Sequence, residues 1–318
     1  MIEFEVGEKV VAIPSEWDDL SESQLKSLCK RIRQFQQDEI SIAECRMLWV
    51  CDILGVNLSK IPYRKQGNAS DNLYMMSRQV TFFTQIKFED GKLDAVSPLL
   101  KKLIRKTPPD DLPYSPEVAY LRRLPYDYDI DAVFFANLIP EVKIGDKTFK
   151  GYTATYSDGV LDTSLTAIQY ITAAELLSTI GNGDSDKLPV LASVLYADIA
   201  QKNLFKALDT ETLEAIAFNF QAVVLFLFTK TEFSILWKGG RSKSKGTITL
   251  SAADTLYDLS ASGYGTPEQV ENLSLLRYLR ILKKNIISAV TMLREMGNDD
   301  GEIAEKTHLP ANIISQIA

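Results

Sequence analysis

The sequence predicts an α+β fold that is predominantly α-helical and carries small β-hairpins. Apolar residues recur at helical spacing over several long segments, and shorter segments alternate apolar and polar residues around glycine turns. Apolar residues make up 46% of the chain and charged residues 24%, which is ordinary for a globular protein and argues against disorder. Because 318 residues exceed the usual size of one hydrophobic core, we expect more than one domain.

The amino-terminal elements carry local signals. Residues 2–13 alternate apolar and polar side chains around a glycine turn, which predicts a β-hairpin. Ser21 and Gln24 have the spacing of a capping box, in which each side chain bonds the backbone N–H of the other residue, and apolar residues follow at helical spacing. A second helix is predicted over residues 42–54, and Gly55 is placed to end it in the left-handed conformation.

A proline-rich stretch suggests where the chain divides. Prolines and tyrosines recur through residues 108–125 and interrupt any long element, so we interpret this stretch as an extended connection. The predicted domains are residues 1–107, which combine a hairpin with helices, and residues 126–318, which are mainly helical. A strand is predicted over residues 79–88 and a further hairpin over residues 142–150.

Helices are predicted to fill most of the remaining chain. Thr172 and Glu175 have the spacing of a capping box and predict the start of one helix. A long helix with many leucines and isoleucines is predicted over residues 267–296, with proline at its start and glycine after its end.

Charge and cysteine content indicate which ligands and which cellular compartment suit the protein. The net charge of -7 repels phosphate backbones, so affinity for nucleic acid would need a local basic patch. The three cysteines form no C-x-x-C pair and cannot all pair within the chain, which favours a reducing compartment.

We expect no secretory signal peptide. The apolar stretch 215–228 is shorter than the roughly 20 residues of a membrane span, so we predict a core helix and no membrane contact.

Few residues could carry chemistry. His308 is the only histidine, so the sequence offers almost no residues from which a Ser/His/Asp triad or a multi-histidine metal site could form. Adjacent carboxylates such as Asp18 and Asp19 lie beside predicted helix starts, where the helix dipole accounts for them. We predict no catalytic residue, no metal site and no cofactor, and we do not expect an enzyme. One rival stays open: a site built from distant carboxylates, which would form a deep pocket and raise their pKa values.

A basic loop spans residues 238–246 and follows a tryptophan. Its cations stand among glycines and serines, so the loop could lie along a phosphate backbone, or it could simply be solvated. It is not a P-loop, because the spacing between its glycines is one residue too long. Its candidate contact residues are Trp237, Arg241, Lys243 and Lys245.

The carboxyl-terminal residues 301–318 have the pattern of a short helix–turn–helix. The second predicted helix contains no arginine or lysine and therefore lacks the usual donors to phosphate. We expect Ile313, Ile314 and Ile317 to pack on a core or on a partner. A nucleic-acid-binding adaptor that uses the basic loop and these helices is the alternative function.

Residues 13–25, with the sequence IPSEWDDLSESQL, resemble the opening of small proteins from the tail and morphogenesis modules of tailed phages. In those proteins a strand, an I-P-x-x-W-[DN]-[DE]-[LIV]-[ST] turn and a helix recur. Trp17 would pack as a lid on the first helix, while Asp18 and Asp19 would favour its amino-terminal dipole. Residues 263–270 and the leucine-rich helix after them are similar to proteins of Bacteroidota prophages.

The resemblance implies a phage virion structural protein, or a tail or neck assembly protein such as a tail-assembly chaperone. Such a protein acts through protein–protein contacts. Its partners would be other tail, neck or capsid proteins, and a homo-oligomer is compatible with this role. It would be found in the host cytoplasm during assembly, or in the virion.

Overall fold

The computed structural model describes residues 1–6, 9–61, 63–236, 252–307, 309–315 and 317. The predicted fold class is confirmed, because 57% of the chain is helical and the strands form small antiparallel sheets. The chain divides into two compact units, Met1–Ala132 (unit 1) and Val133–Ala318 (unit 2).

Unit 1 combines helices with two antiparallel strand pairs. Its elements are β1 (Ile2–Val6), β2 (Lys9–Ile13), α1 (Glu22–Gln36), α2 (Ile42–Leu54), α3 (Tyr63–Arg78), β3 (Thr84–Phe88), α4 (Pro98–Leu103), α5 (Pro116–Leu121) and β4 (Tyr126–Ile130). β1 pairs with β2 as the sequence predicts, and β3 pairs with β4, which lies far along the chain. Short 3-10 turns join several of these elements.

Helix α1 begins, and helix α2 begins and ends, where local signals predict. The hydroxyl of Ser21 accepts the backbone N–H of Gln24 at 3.3 Å, and the Gln24 side chain accepts the N–H of Ser21 at 2.8 Å, which confirms the capping box. Gly55 ends α2 with a φ of 63°. Arg31 of α1 donates two hydrogen bonds of 2.9 Å to Asp52 of α2, and this pair joins the two helices.

The proline-rich residues 108–125 belong to unit 1 and are not an extended connection. Leu112 and Val118 are buried in one hydrophobic cluster with Ile86 of β3. The stretch lies between β3 and β4, and the pairing of these strands holds it against the core. The predicted domain boundary is therefore corrected: the division of the chain falls after β4, at residue 132.

Unit 2 is mainly helical and carries two β-hairpins. Its elements are β5 (Glu141–Ile144), β6 (Lys147–Lys150), β7 (Ala154–Ser157), β8 (Val160–Thr163), α6 (Ala167–Gly181), α7 (Leu188–Tyr196), α8 (Lys202–Phe205), α9 (Thr210–Lys230), α10 (Ala252–Ala261), α11 (Pro267–Glu271), α12 (Leu275–Glu295), α13 (Asp300–Thr307) and α14 (Ala311–Ile314). The pairing of β5 with β6 around Gly145 confirms the predicted hairpin. The hairpin of β7 and β8 was not predicted.

Two helices of unit 2 differ from their predicted bounds. The capping box of α6 is formed by Thr166 and Gln169, so the predicted start at Thr172 is wrong. The single helix predicted over residues 267–296 is divided, because α11 ends at a C-cap formed by Asn272 before α12 begins. In both cases apolar residues continue at helical spacing across the true end of a helix, and the hydrogen bonds of the capping residues determine where that end lies.

Helix α9 lies in the core of unit 2, where it packs on α7. Phe220 and Val223 are fully buried, and Asn219 is 1% exposed. Within the described residues, α9 is also the one helix long and apolar enough to cross a membrane, although 61% of its apolar window is buried inside the protein. A core helix meets the same criteria, and the packing of α9 accounts for its composition.

Candidate binding surfaces

Trp17 lies inside unit 1 and is 7% exposed. Its indole N–H donates to the backbone oxygen of Asp131 at 3.1 Å, and its ring meets Phe82 edge-on with 5.1 Å between centroids. The side chain thus ties the turn before α1 to the end of β4. Trp17 presents little free surface to a partner.

Asp19 stabilises the same turn. Its carboxylate accepts hydrogen bonds from the backbone N–H of Ser15 at 3.0 Å and of Glu16 at 3.2 Å. The pKa of Asp19 is lowered to about 2, first by the hydrogen bond from the amino group of Met1 and then by the hydrogen bonds from Ser15. Asp18 is exposed, and partial desolvation, with Glu16 and Asp19 nearby, raises its pKa. Of these predicted contact residues, Asp18 is the one that faces solvent.

The predicted carboxyl-terminal contact residues are mostly core residues. Ile314 and Ile317 are buried in a cluster with Val290 and Ile303, whereas Ile313 is half-buried. Helix α14 spans only four residues, which is too short to serve as a recognition helix in a DNA groove. Within the part of the chain that the structure describes, Ile314 and Ile317 therefore pack in a hydrophobic cluster of unit 2.

Arg294 of α12 fastens the carboxyl-terminal segment. Its guanidinium donates to the backbone oxygens of Ile314, at 2.8 Å, and of Ile317. The same group pairs with Asp300 at 3.0 Å. Free carbonyls at the end of α14 are thereby satisfied by a side chain from another helix.

The basic loop lies outside the described residues. Trp237, Arg241, Lys243 and Lys245 all fall in the range 237–251, and His308 is also outside. Among the described residues, no group of three or more histidine, cysteine, aspartate or glutamate side chains could hold a metal ion.

An apolar groove, which the sequence did not reveal, lies on unit 1 between β1, the end of α2 and α3. Its volume is about 560 Å³. Leu73 and Met76 of α3 form its buried floor, and Met75 stands beside them with 59% of its surface exposed. Other apolar lining residues are Phe4, Leu54, Val56 and Ile61. The adjacent methionines were the only local signal of this groove.

A basic cleft lies between β3 and the wall formed by the end of α4 and Arg105, which follows it. Its volume is about 620 Å³. Side chains of β3 alternate between the two faces of the strand, so Ile86 is buried and Lys87 points outward. The backbone N–H of Ile86 donates to the backbone oxygen of Arg105 at 2.8 Å, and this bond holds the Arg105 side of the cleft against β3. The charged residues of this basic cleft are Lys87, Lys101, Lys102, Arg105 and Asp129. The pair of lysines followed by Arg105 is visible in the sequence, but its position beside β3 is not.

The described cysteine thiols are poor candidates for chemistry. Cys29, Cys45 and Cys51 are all buried, and none of them forms a disulfide. Burial raises the pKa of Cys45 to about 12 and also raises that of Cys51, so both are held as thiols at neutral pH. These side chains act as small apolar core residues.

No protein-family model, curated protein or solved structure matches the chain.

Proposed function

We propose that this chain is a structural or assembly protein of a tailed-phage particle and acts through contacts with tail, neck or capsid proteins. The observation that carries the proposal is the apolar groove of unit 1, which exposes Met75 beside a buried apolar floor. The resemblance of residues 13–25 to proteins of phage tail modules supplies the biological setting. Catalysis has no part in this proposal.

The apolar groove suits the apolar face of an amphipathic helix from an assembly partner. Methionine side chains are flexible and polarisable, so Met75 and Met76 can adapt to residues that enter between α2 and α3. Helix-in-groove recognition places apolar side chains of the ligand at helical spacing against such a floor. Burial of the exposed 59% of Met75 would contribute about 1–2 kcal/mol to association.

Particle composition and particle yield test the proposal together. In the strain that carries the gene, tailed particles would be purified from cells expressing wild type, Met75→Glu or Met292→Glu. Met292 of α12 is 62% exposed and is a matched control for Met75 at 59%. A glutamate at position 75 would put a charge into the apolar groove, so we expect it to reduce particle yield by about tenfold or more while Met292→Glu leaves it unchanged.

Mass spectrometry of the purified particles then separates the two roles. A virion component is present in particles in a fixed ratio to other tail proteins, whereas a chaperone is absent from particles that cannot form without it. Deletion of the gene without any effect on tailed particles would overturn the proposed function. Equal yields from the two glutamate variants would overturn the part assigned to the apolar groove.

A further inference from the structure

The basic cleft of unit 1 concentrates positive charge on an acidic protein. The whole chain has a net charge of -7, yet the cleft brings together Lys87, Lys101, Lys102 and Arg105 with one carboxylate, that of Asp129. A concave surface with an excess of positive charge focuses its electrostatic field and attracts negatively charged ligands.

The cations of the cleft form no ion pair within the described residues, although Lys87 lies opposite Asp127 in the pairing of β3 with β4. Their neighbours are paired: Lys106 lies 2.8 Å from Asp131, and Arg78 forms an ion pair with Asp111. In contrast, the four cleft cations take part in no ion pair and donate no side-chain hydrogen bond in the described part of the chain. Lys87, Lys102 and Arg105 are exposed, so their charges are available to a ligand.

The backbone beneath these cations is held in place. β3 pairs with β4 over five residues, and the Arg105 carbonyl is bound to β3 through the N–H of Ile86. Ile104, between α4 and Arg105, is 1% exposed and anchors the segment in the core. The spacing of the charges is therefore preorganised, which lowers the entropy lost on binding.

We propose that the basic cleft binds an acidic segment of a partner protein, with carboxylates placed against Lys101, Lys102 and Arg105. Asp127 and Asp129 lie on the outward face of β4 and would repel an uninterrupted chain of phosphates. A peptide reduces this repulsion, because its carboxylates end flexible side chains that can turn away from the two aspartates, whereas phosphates are fixed in the backbone of a nucleic acid.

The aromatic content of the cleft also favours a peptide over nucleic acid. Among its lining residues Phe88 is the one aromatic side chain, and it is buried at 7% exposure. Binding of single-stranded nucleic acid relies on exposed rings on which bases stack. The inference concerns a different surface from the apolar groove, so it does not depend on a role in phage assembly.

Fluorescence anisotropy with the full chain tests this inference. The probes are a labelled octaglutamate peptide, the matching octaglutamine peptide, and single-stranded and duplex DNA of about 20 nucleotides. The test variant replaces Lys101, Lys102 and Arg105 with alanine. The control replaces three exposed lysines of the β5–β6 hairpin, Lys143, Lys147 and Lys150, with alanine and changes the net charge equally.

We expect octaglutamate to bind, octaglutamine not to bind, and affinity to fall as salt is raised. Loss of three exposed ion pairs predicts an affinity about tenfold weaker for the cleft variant, with the hairpin control within about twofold of wild type. Urea unfolding confirms that both variants are folded. The inference is overturned if octaglutamate does not bind, if both variants lose affinity equally, or if DNA binds the cleft more tightly than the peptide does.

Discussion

Replacing Asn219 of α9 with leucine removes two hydrogen bonds that hold the segment before β5. The side-chain amide donates to the backbone oxygen of Ala136 at 2.7 Å, and its oxygen accepts the N–H of Leu138, also at 2.7 Å. Asn219 is 1% exposed, so leucine would fill a similar buried volume without either bond. The perturbation thus isolates the polar contacts from packing.

The expected cost follows from the two backbone groups that lose their partner. A buried donor or acceptor left without a hydrogen bond costs about 1–3 kcal/mol. Ala136 and Leu138 are half-buried, so water compensates part of this cost. We expect Asn219→Leu to lower the free energy of unfolding by about 2–4 kcal/mol.

Urea unfolding followed by circular dichroism measures this change, and hydrogen exchange read by mass spectrometry assigns it to unit 2. The matched control is Asn272→Leu, because Asn272 is exposed and donates to the Glu268 oxygen at 2.8 Å. This control loses one exposed hydrogen bond and should change stability by less than about 1 kcal/mol. The reasoning is refuted if the two variants differ by less than about 1 kcal/mol, or if exchange at Leu138 is unchanged in Asn219→Leu.

Three further predictions concern unit 1. Folding lowers the pKa of Asp19 from 3.8 to about 2, so its stabilising effect is present above pH 3.8 and is lost as the pH falls toward 2. Asp19→Asn should therefore reduce urea stability at pH 7 but not near pH 2, and a constant difference would contradict this. Arg46 is 8% exposed, pairs with no carboxylate in the described residues and hydrogen-bonds the Thr84 hydroxyl, and burial lowers its pKa. Arg46→Met should leave the free energy of unfolding unchanged or raise it by about 1 kcal/mol, and a clear loss of stability would contradict this account. Because Cys45 is fully buried with a pKa of about 12, its thiol should react with a disulfide reagent only after unfolding, and rapid reaction in the native protein would contradict its placement.

The parts of the fold that the sequence predicts are those decided within a few residues. The capping box of Ser21 and Gln24 and the left-handed Gly55 each depend on neighbouring backbone groups alone. Where two local signals compete, the sequence does not choose between them. Thr166 and Thr172 both head a capping-box pattern, and the earlier one begins α6, where the N–H of Ala167 also donates to the distant Leu273 oxygen.

Features that depend on distant pairing were not predicted. Thr84 of β3 lies opposite Ile130 of β4, and no local pattern announces that pairing. It makes the proline-rich stretch part of the core and sets β3 beside Arg105. The apolar groove and the basic cleft both require such placement, which explains why neither was predicted from the sequence.

The large apolar residues that we predicted to contact partners illustrate a general difficulty. A core and an interface both bury apolar surface, so a tryptophan or isoleucine has the same sequence signature in either place. Tertiary structure distinguishes them: Trp17 and Ile314 are buried, whereas Met75 is exposed beside a groove. Trp17 also bonds the Asp131 backbone at the end of unit 1, so residues 13–25 carry a side chain that closes this unit. Because Trp17 is used in this way inside the unit, we expect a partner to bind on surfaces that residues 13–25 do not form, such as the apolar groove beside Met75.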